Sequence, residues 1–463
     1  MKNLGRFNLI LVGVLGLTTL VGCHGLSTKD ERGARHDLAT VTEEYRAKGE
    51  RSTLPELNPQ SGLSNFVTYA VLNQPKVEAA YFDWAASVER ITVERSLPDP
   101  RLTFESDIAD VVMTVMPGFM QEFPGPGKLK AASRVASAGS QVKYFAFESA
   151  VLQTALDLKR SYYTLHFLDE KIRIDHQTLE LLGDLDKIAR AQNEVGKVTL
   201  QDVYRAQIEQ DQLATEIANL DDSRHPLLAQ FKAALGLRHD QPDPPIPSAL
   251  ETTPLDLKAD DLLTIGLARN PRLKAMEADV RMAEADITMA AKSKVPDFSL
   301  GLMADAKAAP TMFRPLAGMT LPIWRDKIAA QIAQAQANKR AAEARLNSEQ
   351  IMLAVDYAMK SYDYREITRN LALLQNQLIP KARQSLEIAR SGYLAGTIDF
   401  FNLINAQRTL LNFELADVEA RTRREINLAE LSLLIAGVPP KGAPVLATPP
   451  DVSSQTQNHP KKH

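Results

Sequence analysis

The sequence predicts a mainly α-helical protein with paired strand-like segments, in which a helix–hairpin–long helix–helix unit is written twice. Three observations lead there. Pro75, Asp83, Ile91, Thr92 and Pro100 recur as Pro271, Asp279, Ile287, Thr288 and Pro296 at an offset of 196, Gly196, Ala206 and Gln207 recur as Gly396, Ala406 and Gln407 at 200, and Gly236 recurs as Gly437 at 201. Ordered matches at Gly and Pro, where helix ends are set, point to duplication, with the drift left to loop lengths. Lys128 to Val195 contains no proline, and Asp326 to Ala395 contains only Pro380. Before each of these stretches stands a pair of segments of strand length and composition.

Bulk composition narrows the function classes. The 463 residues carry 54 basic and 57 acidic side chains, a net charge of −3, so no strong basic field exists to hold nucleic acid. A single cysteine excludes a disulfide framework and any multi-cysteine metal site. The eight histidines form no HExxH motif, and the one close pair, His459 and His463, stands in a short C-terminal tail. No nucleophile with a paired base and no phosphate-binding loop stands out, so neither catalytic residues nor a cofactor or metal site are expected.

The N-terminus carries an address. Lys2 and Arg6 precede an apolar stretch, Leu9 to Val21, that is too short to span a bilayer as a helix and ends in Leu20-Val21-Gly22-Cys23. This resembles the bacterial lipobox, which implies lipidation of Cys23 after removal of residues 1–22. The acyl chains would tether the mature chain, each buried CH₂ contributing roughly 0.8 kcal/mol. His24 in place of the Asp that retains some lipoproteins at the inner membrane favours the outer one.

Residues 75–97 have helical composition and stop before Pro98 and Pro100. Arg101 to Ile108 partly alternates polar and apolar residues, and Val111 to Phe123 is rich in Val, Met and Phe. Both are of the length of a tilted transmembrane strand, about ten residues. Phe298 to Met303 and Leu316 to Trp324 repeat the pair. The long stretches that follow would each reach about 100 Å as unbroken helices, which suits an extended coiled bundle rather than a globular interior. Pro380 is expected to bend or break the second.

Each long helix ends in a glycine turn. Asn193 to Thr199 and Gly392 to Asp399 lie between helical stretches. Gly196 and Gly396 suit the left-handed position after a helix, and Thr199 and Asp399 can serve the N-terminus of the next. By pseudo-symmetry both turns lie at one end of the bundle, away from the hairpins.

With these features in place the sequence resembles the TolC-type outer-membrane efflux proteins, over about residues 65–440. The stretch Gln121-Glu122-Phe123-Pro124-Gly125-Pro126-Gly127-Lys128-Leu129 resembles the P-x-P-G-K segment of the heavy-metal and cation branch, and Gly396 to Gln407 resembles the second family tip and its following helix. The resemblance implies a homotrimer in which each chain gives four strands to one twelve-stranded barrel in the outer membrane, continued by a periplasmic α-helical barrel. It also explains how four strands that cannot close alone become viable in lipid. The map is then a signal peptide at 1–22, a lipid-anchored extended segment at 23–60, a first efflux-protein repeat at 61–240, a Pro-rich linker at 241–254, a second repeat at 255–440 and a flexible tail at 441–463.

The same resemblance implies docking of a periplasmic adaptor (membrane fusion) protein at the tips, here Val195, Gly196, Lys197 and Val198 with Ala395, Gly396, Thr397 and Ile398. The adaptor would join the channel to an inner-membrane pump. Family members often place acidic residues at the periplasmic gate. Asp202 occupies such a position in the first repeat, but Asn402 stands at its counterpart, with Asn405 one turn on along the same face. Two amides make a hydrogen-bonded constriction rather than a charged ring. The P-x-P-G-K resemblance tilts the cargo toward metal cations, with drugs or other small toxic compounds as the alternative. Met113, Met116, Met120, Met303, Met312 and Met319 near the hairpins offer soft sulfur, though lipid-facing or barrel packing is the more ordinary use of methionine. A non-pore periplasmic scaffold lipoprotein stays open at this level.

Overall fold

In a computed structural model the described residues are 27–46, 52–109, 112–246, 259–305 and 312–439. The signal peptide, Cys23, the end of the Pro-rich linker and the tail at 441–463 lie outside them. The chain divides into two compact units. One gathers Trp84–Val142 and Ala278–Glu343 with the N-terminal residues up to Ala39; the other gathers Thr40–Asp83, Lys143–Glu277 and the chain from Ala344 on.

The element order runs α1 (Lys29–Tyr45), α2 (Leu63–Asn73), α3 (Pro75–Arg95), β1 (Arg101–Ala109), β2 (Val112–Phe123), α4 (Lys128–Glu194) and α5 (Leu200–Ala234). It then continues α6 (Ala259–Arg269), α7 (Pro271–Ala291), β3 (Phe298–Asp305), β4 (Met312–Met319), α8 (Arg325–Leu373), α9 (Ile379–Leu394) and α10 (Phe400–Ala429). From α2 onward the order of helices and strands occurs twice, with α8 and α9 together standing where the first repeat has the single helix α4. Pro75 and Pro271 each open a helix, where the missing N–H is harmless and φ is already suitable. Asn73, two residues before Pro75, and Asn270, directly before Pro271, both donate from Nδ2 to the end of the repeat's last helix: Asn73 to the Leu235 carbonyl at 2.9 Å and Asn270 to that of Ile435 at 3.1 Å.

Two expectations are corrected. Residues 29–45 are helical rather than extended. The reason is a buried tether: the Glu31 carboxylate accepts from Arg95 Nε at 2.5 Å, Thr92 Oγ1 at 2.7 Å and Arg35 Nε at 3.3 Å. The last strand runs from Met312 to Met319 and not from Leu316 to Trp324. Pro322 has no N–H for a ladder, and the N–H groups of Ile323 and Arg325 turn back to the carbonyls of Leu321 and Ile323 at 2.8 and 2.9 Å. At Pro380 the regular α-helix is interrupted, as expected. A π-helical turn, Leu374–Leu378, precedes it and places it in the first turn of α9, where no backbone donor is required of it.

The sheet belongs to the first unit and has the order β1-β2-β3-β4, antiparallel throughout. Both outer strands are unpaired at their free edges, and every residue of β4 is exposed.

Candidate functional site

The register of the sheet sorts its residues onto two chemically different faces. Leu102 pairs with Phe119 and Phe104 with Pro117; Phe119 pairs with Leu302 and Phe123 with Phe298; Leu302 pairs with Pro315, Ala304 with Phe313 and Phe298 with Met319. Directly paired residues share a face, so among the described side chains this face is apolar across all four strands, with Gln121 as the polar exception. Leu102, Phe104 and Phe313 on it are each about two-thirds exposed: 67%, 65% and 65%. The other face carries Arg101, Thr103, Glu105, Met116, Gly118, Met120, Glu122, Ser299, Met303, Asp305, Met312 and Arg314. Arg314 donates to Asp305 at 2.7 Å, and Arg101 lies 3.5 Å from Glu122. A sheet that is apolar on one side and charged on the other has the pattern of a barrel wall between lipid and water.

At the foot of the sheet the Pro124 to Lys128 segment forms a clasp with the start of β3. The Asp297 carboxylate accepts from Lys128 Nζ at 2.7 and 2.8 Å and from the Gly125 N–H at 2.7 Å. Its own N–H donates to Thr320 Oγ1 at 2.7 Å, and the Thr320 N–H donates to its carbonyl at 2.9 Å. Burial works against the Asp297 charge, but the Lys128 ammonium and the Gly125 N–H outweigh it and hold the carboxyl below its ordinary range. A side chain at residue 125 has no room: a Cβ there would sit 2.4 Å from the Pro296 carbonyl oxygen.

The two glycine turns rise from one core in the second unit. Leu182, Leu185 and Ala189 of α4, Val203 and Ala206 of α5, Leu386, Ala389 and Tyr393 of α9, and Phe400, Leu403 and Ile404 of α10 pack together. Each turn closes identically. Gly196 and Gly396 both adopt φ +75°, and the next N–H reaches back five residues, Lys197 to the Gln192 carbonyl at 2.9 Å and Thr397 to that of Gly392 at 2.8 Å. Val195, Gly196, Lys197, Ala395, Gly396 and Thr397 are exposed, and Val198 and Ile398 are half-buried.

The candidate gate residues sit just beyond. Asp202 is half-buried and caps its own helix, its carboxylate accepting from the Thr199 N–H at 3.3 Å. Asn402 and Asn405 are both exposed, and the Asp399 carboxylate caps the Asn402 N–H at 2.8 Å. Two contacts here were not visible in the sequence. Arg408 of α10 grips Glu209 of α5, Nε to Oε2 at 2.9 Å with a second contact from its terminal nitrogen. Arg205 lies 5.1 Å from the centre of the Phe401 ring. The partners stand about 200 positions apart, so only the duplication itself hinted that they could meet. The Tyr393 hydroxyl is buried without a partner, and burial followed by the nearby Asp202 carboxylate pushes it up to about 12.

Among the described residues no three His, Cys, Asp or Glu side chains gather into a metal-holding group, and no helix is long and apolar enough to cross a membrane.

Comparison with known proteins agrees with this geometry. The cobalt-zinc-cadmium resistance protein CzcC of Cupriavidus metallidurans is 25% identical over 264 residues, covering 54% of this chain and 60% of CzcC. The probable outer membrane lipoprotein SilC of Salmonella typhimurium is 23% identical over 329 residues, covering 67% of this chain and 69% of SilC. The chain thus spans about three-fifths to two-thirds of the length of these relatives. The Campylobacter jejuni outer membrane channel CmeC shares the fold, with a TM-score of 0.70 at 14% identity over 86% of this chain and 92% of CmeC. The outer membrane efflux protein family matches residues 68–237 and, a second time, 262–437. By that double match the chain belongs to the outer membrane efflux protein family.

Proposed function

We propose that three copies of this chain form an outer-membrane channel, the exit duct of a tripartite efflux system. The two-faced sheet carries this reading. Its apolar face suits lipid, its charged face suits a water-filled lumen, and its two open edges demand further strands. Two more copies supply eight and close a barrel of twelve. Conduction is passive, with energy supplied by an inner-membrane pump that reaches the channel through a periplasmic adaptor. Lipidation of Cys23 would add a second hold on the outer membrane.

The turns at Val195–Val198 and Ala395–Ile398 are the proposed adaptor-docking tips. Their rigid closure and exposed small residues offer a surface that a helical hairpin can approach. The exposed amides of Asn402 and Asn405 are the proposed constriction. Asp202, occupied in its own helix cap, is the weaker member of that set. Cargo is proposed to be metal cations, supported by the likeness to a cobalt-zinc-cadmium resistance protein and by the Pro-Gly-Pro-Gly-Lys clasp.

Planar-bilayer conductance of the detergent-purified, lipidated protein, with its mass determined in the same preparation, tests the reading. A conducting trimer supports it. A monomer without conductance under any condition returns the chain to a non-pore scaffold.

A further inference from the structure

The register of the sheet gathers four methionines on its charged face. Met303 of β3 pairs with Gly118 of β2 and Arg314 of β4. Its diagonal neighbours on that face are therefore Met116 and Met120 on β2 and Met312 on β4. Diagonal neighbours lie about 7–8 Å apart at Cα, within reach of side chains as long as methionine. Met303 leans against Gly118: a Cβ added there would lie 3.5 Å from Met303 Cγ and 2.7 Å from Thr103 Oγ1, so a larger residue would crowd this part of the face. Met116 and Met303 are each only 6% exposed. Met319, by contrast, pairs with Phe298 on the apolar face.

The surrounding charge matches. Among the described side chains of this face Arg101 and Arg314 stand against Glu105, Glu122 and Asp305, three acidic groups to two basic ones. Thioether sulfur is a poor ligand for hard or borderline divalent ions and a good one for soft monovalent ions. Methionines used only to fill lipid-facing space would lie with Met319.

Resting on the channel reading above, we propose that Met116, Met120, Met303 and Met312 form a thioether site for a soft monovalent cation on the luminal wall of the barrel. Such a site gives the barrel a preference among metal ions that the channel reading does not require.

The test is K⁺ conductance of the full-length lipidated trimer in nitrate salts, titrated with Ag⁺ and separately with Zn²⁺. Wild type and the outward-facing Met319→Leu variant should both be blocked by Ag⁺ and not by the same concentration of Zn²⁺. Met116→Leu/Met303→Leu should raise the half-blocking Ag⁺ concentration about tenfold or more, as loss of metal-site groups does. The substitution conserves volume and should assemble. Should the double variant fail to assemble, Met303→Leu alone is compared with wild type for Ag⁺ retained per trimer after desalting, and reduced retention is the expected result. Equal Ag⁺ block or retention in every variant, or block by Zn²⁺ as strong as by Ag⁺, overturns the proposal and leaves the channel standing. A trimer that passes no K⁺ at all overturns the channel reading and this site with it.

Discussion

Lys128 and Asp297, 169 positions apart, meet through two hydrogen bonds of 2.7 and 2.8 Å. One residue opens the long helix of the first repeat and the other precedes the third strand. The pair therefore joins the two repeats at the foot of the sheet. Asp297→Asn should lower stability by only about 0.5–1 kcal/mol at neutral pH, because both side chains remain partly open to water. The Asp297 pKa is depressed, so its contribution is present above the ordinary carboxylate value and lost as pH falls through the depressed one. Thermal melts of wild type and variant should differ at pH 7 and converge as pH falls through the depressed Asp297 value.

Gly196 and Gly396 should be replaceable at a moderate and local cost. A Cβ at either position meets nothing within 4 Å, so the penalty is conformational, from φ +75°. Gly196→Ala or Gly396→Ala should cost about 1–2 kcal/mol. Hydrogen exchange should rise at the altered turn while the sheet stays unchanged. Gly125→Ala should behave differently, with sharply reduced assembly, because its Cβ would overlap the Pro296 carbonyl.

The Glu209–Arg408 pair ties α5 of the first repeat to α10 of the second. Glu209→Gln should weaken that tie and raise the conductance of the resting channel. The charge-swapped double variant Glu209→Arg/Arg408→Glu should return it toward the wild-type value. Replacing Asn402 and Asn405 together with alanine should also raise single-channel conductance if they line the constriction, and unchanged conductance would remove them from it.

Tyr393→Phe should be neutral to slightly stabilising at pH 7. The ring keeps its packing, at 5.3 Å from that of Phe400, and a buried hydroxyl without a partner is removed. The Tyr393 pKa is raised to about 12, so the folded state disfavours the phenolate. Stability that wild type holds at neutral pH should fall as pH rises above the ordinary tyrosine value, about 10. The variant should lack that part of the alkaline loss in a pH series of thermal melts.

Much of the architecture was legible because it depends on local chemistry. Prolines before helices, glycines after them and a repeated order at offsets near 200 are set by backbone rules that act within a few residues. So the helix starts at Pro75 and Pro271 and the turns at Gly196 and Gly396 could be placed directly. The helix over 29–45 could not, because its order comes from a buried carboxylate held by a helix more than fifty residues later. The π turn before Pro380 could not either, since widening by one residue leaves no local signature.

By itself the sequence determined the duplicated helix–strand order and the prolines and glycines that punctuate it. The tertiary structure alone decided which side of the sheet each methionine occupies, since a register shift of one residue would move every one of them to the other face. It also decided that Lys128 finds Asp297 and that Arg408 finds Glu209. Such partners are distant in sequence, and only the packed chain brings their charges within hydrogen-bonding reach.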